Sequence, residues 1–213
     1  MVLVRGAGCV DDSPRMLAET FLKLVEKATT DLDVDRLRSD VRRFSARHPE
    51  ATAREIGERL VARTARQAAV IGGVAGLPPG WAVLATAAPE LTALVILQSR
   101  LIVSIHLLYG APMEPKERAL EVLAGLAAGA GINVGRRLTA RAAEETAARL
   151  LARFMGRETS HLIPLLGAAA GAALNYGAVR AVGKAALRRV ERLYGPPELP
   201  GKGLILDATG RVS

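Results

Sequence analysis

Three histidines, one cysteine and a few polar groups inside an apolar run are the residues from which chemistry could be built. His48, His106 and His161 fall in three separate segments, and none has an Asp or Glu at metal-ligand spacing. His48 and His161 read as helix-end residues, and His106 reads as a hydrogen-bonded core histidine. Cys9 has no histidine near it to activate a nucleophile. As the single cysteine it excludes an internal disulfide and most structural zinc sites, which makes a reducing compartment the default. Glycines 129, 131 and 135 do not fit GxGxxG, and GKG at 201–203 is not a P-loop. No catalytic residue, metal site or cofactor is therefore expected, and the chain reads as non-enzymatic.

The polar residues embedded among leucines carry more information. No charged residue falls between Arg66 and Glu90, and Arg100 is the one charge in the apolar stretch that follows. Glu90, Gln98, Arg100 and His106 sit in this setting and must be paired or wet, because burying such groups alone is costly. They are the candidate binding residues. The structural alternative is an ion pair of Arg100 with Glu121 or Glu90.

Elements must position these groups, and composition decides which kind. Half of the 213 residues are apolar but only 3% are aromatic, with 21 glycines. That mix fits closely packed helices; a β-sandwich would need more Val, Ile, Thr and Tyr. The formal charge of +8 is unevenly spread: net +2 over residues 1–66, −1 over 67–135 and +7 over 136–213. Arg136, Arg137, Arg141, Lys184, Arg188, Arg189 and Arg192 supply most of the last value and suggest contact with an anionic membrane surface. The plainer alternative is that arginine coats solvent-facing helix sides. Nucleic acid is not favoured, since aromatic stacking residues and a recognition-helix pattern are both lacking. Arg5 interrupts MVLVRGAGC, so no signal peptide is read and a cytoplasmic location is expected.

In chain order, MVLV predicts a short strand within an arm over residues 1–13. A helical domain over 14–195 follows. Its first helix opens at Pro14, with Leu17, Phe21, Leu24, Val25 and Ala28 on one face. A second, capped at Thr30-Asp31, turns Val34, Leu37, Val41 and Phe44 inward. A third is expected from Pro49 to Ile71. Gly72-Gly73, Gly76 and Pro78-Pro79-Gly80 then predict a break, with a new helix entering at Pro79 or Trp81. Pro89 either kinks that helix or begins the next, which Gly110 ends. Residues 91–109 have the length of a membrane span, but Arg100 argues against simple insertion. Further helices are expected over 113–135, 136–156 and from a Ser160 cap to about 195. The Pro-rich tail 196–213 ends in a strand-like GLILDATG. Gly125/Gly129 and Gly167/Gly171 predict two helices touching at those glycines. The whole is an all-α, Gly/Ala-rich bundle of six to eight helices with apolar hairpins and short terminal strand-like segments.

Taken together, these motifs resemble the EcsC protein family. The resemblance rests on GGVAGLP after an apolar helix, the Pro89-Glu90 helix with Gln98 closing on Tyr109-Gly110, Arg118 near the start of the next helix, and the late LIPLLGAAAGAALNYG. Ile163-Pro164 through Gly167, Gly171 and Asn175 is also similar to the helical domain appended to some bacterial GTPases. The resemblance covers roughly residues 50–195 and implies a membrane-associated bacterial protein, in some cases linked to an ABC transporter system. It supplies no catalytic residues. The partner it implies is the cytoplasmic membrane face or a membrane protein complex. Two alternatives stay open: a soluble homo-oligomer joined by its terminal strands, and a carrier of a lipid or small apolar ligand with a cavity near Gln98 and Arg100.

Overall fold

The computed structural model describes residues 13–75, 82–111, 113–135, 138–155 and 164–195. Among them are seven helices and no strand. These are α1 (Ser13–Thr30), α2 (Val34–Ala46), α3 (Ala53–Ala75), α4 (Ala82–Leu108), α5 (Pro115–Gly129), α6 (Ala140–Met155) and α7 (Pro164–Tyr194). The all-α bundle expected from composition is what forms. Both terminal strand-like segments, the break at 76–81, Ser160 and His161 lie outside the described residues.

Local chemistry sets the helix ends, and several differ from expectation. The cap of α2 is Asp33, not Thr30-Asp31, and its carboxylate accepts the Arg36 N–H at 2.9 Å. Helix α3 starts at Ala53 rather than Pro49, because Thr52 and Glu55 close a reciprocal capping box. The Glu55 carboxylate accepts the Thr52 N–H at 2.8 Å, and the Thr52 hydroxyl accepts the Glu55 N–H at 3.2 Å. Hydrogen bonds donated by the Thr52 N–H and then the Thr52 hydroxyl hold the Glu55 carboxyl below its ordinary pKa. Gly72 and Gly73, expected to loosen the chain, remain helical to Ala75. Pro89 lies inside α4, which runs unbroken from Ala82 to Leu108. Helix α5 stops at Gly129 instead of Gly135: Gly131 takes φ +73°, Ile132 N–H donates to Ala127 and Gly131 N–H to Ala128. Gly110, at φ +63°, ends α4 in the same way.

Packing is organised on two long helices. α3 and α7 run antiparallel with constant offset: Arg54 meets Glu191, Gly57 faces Leu187, Val61 faces Gly183, and Gly72 lies on Gly171. α5 is antiparallel to α7, with Gly129 on Val182 and Glu121 bound to Arg189. α4 touches α1, α2, α3, α5 and α7, and it contributes Leu101, Ile102, Val103, Ile105 and Leu108 to the core. α1 packs against α6, α4 and α5 and buries Phe21, Val25 and Ala28, although Leu17 from its expected inner face is exposed.

The glycines do create close approaches, but with different partners from those expected. A Cβ on Gly129 would stand 2.5 Å from the Val182 Cα, and one on Gly171 would stand 2.6 Å from the Gly72 carbonyl oxygen. Gly125 faces the Ile102 side chain of α4. So α5 and α7 touch, as expected, while Gly171 serves the α3–α7 contact. Gly72 was free to play that part because the helix does not break there.

Candidate functional site

The four polar residues of α4 do not gather into one site. A helix turns 100° per residue, so Gln98 and Arg100 leave α4 on nearly opposite sides. Gln98 is buried and faces a small cavity of about 100 Å³ lined by Leu126, Gly129, Ala130, Gly177, Ala178, Ala181, Val182 and Arg153. Arg100 is exposed and borders a separate cleft between α1, α2 and α4. Neither Glu90 nor Glu121 pairs with it. Glu90 instead accepts a 2.6 Å hydrogen bond from the Asn175 amide of α7. Glu121 receives the Arg189 guanidinium in a two-pronged contact at 2.9 and 3.1 Å.

His106 is buried close to that ion pair. Burial pushes its pKa down to about 4, the Glu121 charge opposing the shift and Arg189 assisting it. It is a core histidine, as expected; its Nδ1 has no hydrogen-bond partner among the described residues, and its ring meets Tyr194 edge-on at 6.4 Å. Arg189 was expected at a basic surface; it is buried, and also donates to the Gly135 carbonyl at 3.2 Å. Nearby, the Tyr109 hydroxyl donates to Glu191 at 3.0 Å, and Arg54 grips both Glu191 oxygens at 2.8 and 2.9 Å. Burial and then the Glu191 carboxylate push the Tyr109 pKa up. This end of the bundle is a network of ion pairs. Sequence gave little warning of it, because the partners stand 68 to 137 residues apart.

The other end is its opposite. Residues 67–89 and 159–179 contain no Asp, Glu, Lys or Arg. The antiparallel register brings the C-terminal turns of α3 and the N-terminal turns of α7 to the same level, and the Glu90–Asn175 bond places the start of α4 beside them. Three charge-free helix ends therefore meet at one pole. Its depth is about 13 Å along α3 from Arg66 and about 12 Å along α4 from Glu90. Val70, Val74 and Leu174 are exposed there, at 66%, 61% and 39%. Val70 and Leu174 share one level of the α3–α7 pair. Just inward, the exposed Arg180 guanidinium lies 5.7 Å over the Tyr176 ring.

The remaining basic residues fall elsewhere. Lys184, Arg188 and Arg192 are exposed, but they follow Gly171 by 13 to 21 residues, or about 20–31 Å along α7. Arg141 lies in the first turn of α6, and Arg136 and Arg137 are outside the described residues. Arg118, from the sequence motif, donates to the Thr29 carbonyl at the end of α1 at 3.3 Å. Among the described residues, no three His, Cys, Asp or Glu side chains gather to hold a metal ion. Pro89–Leu108 is long and apolar enough to cross a membrane, yet 56% of that stretch is buried within the bundle. A core helix meets the same criteria of length and composition. No family model, curated protein or solved structure matches this chain.

Proposed function

We propose that the chain is a non-enzymatic, peripheral membrane protein, related to the EcsC family, that dips its charge-free pole into the cytoplasmic leaflet. The observation that carries this reading is the alignment of three charge-free helix ends around exposed Val70, Val74 and Leu174. Scattered exposed apolar residues are ordinary, but a pole without charge on any of its helices is not. Its depth of about 12–13 Å approaches half of a ~30 Å hydrocarbon core, enough for one leaflet and too little to span. Glu90, Asn175, Tyr176, Arg66 and Arg180 mark the level at which polarity resumes. An aromatic ring under a guanidinium suits the headgroup zone.

Lys184, Arg188 and Arg192 then follow Arg180 by about 6, 12 and 18 Å along α7, so only Arg188 and Arg192 stand beyond a ~10 Å Debye length from the headgroup level. Insertion, assisted by Arg66 and Arg180, outweighs electrostatic attraction in this arrangement. Flotation with neutral and anionic liposomes at low and high salt tests it. Binding is expected to survive a high-salt wash and to disappear in Val70→Glu/Val74→Glu without change in the melting temperature. Complete release of the native chain by salt, or flotation indifferent to the double substitution, would overturn insertion. Self-association lost in the same variant, with no lipid binding at all, would replace it by a homo-oligomer.

A further inference from the structure

The cleft beside Arg100 has a composition that the pole does not explain. It encloses about 350 Å³, the lower end of the ~300–1,000 Å³ range of small-molecule sites. Thr92, Ile96 and Arg100 follow one another at i, i+4 and i+8, so α4 presents one wall about 12 Å long. Leu24, Ala28, Leu32 and Leu37 supply an apolar floor from α1, α2 and the turn between them. Two carboxylates border the cleft and both are engaged. Asp31 pairs with Lys27 at 3.0 Å, and Asp33 caps α2. The guanidiniums of Arg36 and Arg100 have no carboxylate within 4.0 Å among the described residues.

An apolar trough bordered by two guanidiniums that have no carboxylate partner among the described residues is complementary to one kind of molecule. We propose that this cleft binds an amphipathic monoanion, a medium-chain alkyl carboxylate. Its head would sit on the planar forks of Arg100 and Arg36, and its chain along Ile96, Leu24 and Leu37. Guanidinium matches a carboxylate with two parallel hydrogen bonds, which an ammonium cannot do. Asp31 and Asp33 at the rim select against higher negative charge, so a doubly charged phosphate head is disfavoured. The site lies on the opposite side of α4 from Gln98, whose cavity of about 100 Å³ is less than a third of this one's volume.

Isothermal titration of the full chain with decanoate, below its micelle concentration, tests the assignment against 1-decanol and acetate. Decanoate is expected to bind saturably, with decanol and acetate at least tenfold weaker. Arg100→Gln, at an exposed position, is expected to lower affinity about tenfold, and Arg36→Gln/Arg100→Gln further. Ile96→Glu should abolish binding, and amide shifts on decanoate addition should centre on residues 92–100. Val70→Glu/Val74→Glu should leave decanoate binding intact, which separates this site from the membrane-binding pole. Absence of saturable decanoate heat, or equal affinity in the double arginine variant, would overturn it.

Discussion

At the scale of single residues, the buried polar groups of α4 and α7 define where ionisation matters. His106 is held neutral by burial, with a pKa near 4 against an ordinary 6.5. A histidine whose folded pKa is depressed lets the unfolded chain bind the proton first. Its contribution is intact above pH 6.5 and is lost as pH falls towards 4, by up to ~3 kcal/mol. His106→Leu fills similar space and removes the proton site, so its urea midpoint should fall less between pH 7 and pH 4.5 than that of the native chain. Equal acid sensitivity in both proteins would place the effect in other groups. The neighbouring Glu121–Arg189 pair obeys a different rule, since removing one partner strands a buried charge. Glu121→Ala should cost ~3 kcal/mol or more by denaturant melts, whereas Glu121→Leu/Arg189→Met should recover most of that loss. Residue types were readable here but pairings were not. Glu121 was one of two partners considered for Arg100, and only the α5–α7 register explains why it binds Arg189 instead.

At the scale of elements, the helices were legible because their apolar periodicity was strong, and their ends were not, because ends depend on short-range hydrogen bonds. The Thr52–Glu55 capping box competes with Pro49 as a start signal and wins by satisfying two backbone donors. Gly72-Gly73 looks like a breaker in isolation, yet α7 rewards a helical Gly72 by closing onto it at Gly171. Tertiary packing thus overrides the intrinsic cost of ~1 kcal/mol for a helical glycine. The same contacts predict a split among the glycines. Gly72→Leu and Gly171→Leu drive a side chain into backbone that cannot yield and should lose at least ~1–3 kcal/mol. Gly129→Leu meets the Val182 backbone and should behave alike. Among the described residues, Gly177 has nothing within 4 Å of an added Cβ, so Gly177→Ala should gain ~0.4–1 kcal/mol. Thermal melts of the four variants check this, and a uniform response would mean that the α3–α7 and α5–α7 crossings are not as close as drawn.

At the scale of the whole molecule, the bundle is polarised along α3 and α7. One end carries Arg54, Glu191, Tyr109 and the Glu121–Arg189 pair; among the described residues, the helix ends at the other carry no charge for about 12 Å. Linear sequence showed both compositions but could not show that residues 67–75, 82–89 and 164–174 share an end. That follows only from the antiparallel register, which also moves Lys184, Arg188 and Arg192 away from the apolar pole. If the pole enters a leaflet, the long axis of α7, about 46 Å, must stand up from the membrane with its basic end in water. Two environment-sensitive labels decide the orientation, placed singly at Val74→Cys and Arg192→Cys in a Cys9→Ser background. With anionic vesicles the label at 74 should shift to the blue and be quenched by lipids carrying a quencher in the upper acyl region. The label at 192 should stay accessible to aqueous iodide. Shielding of both labels would mean that the bundle lies flat, with Lys184 and Arg188 against the headgroups. Shielding at 192 alone would reverse the orientation and remove Val70, Val74 and Leu174 from any part in membrane contact.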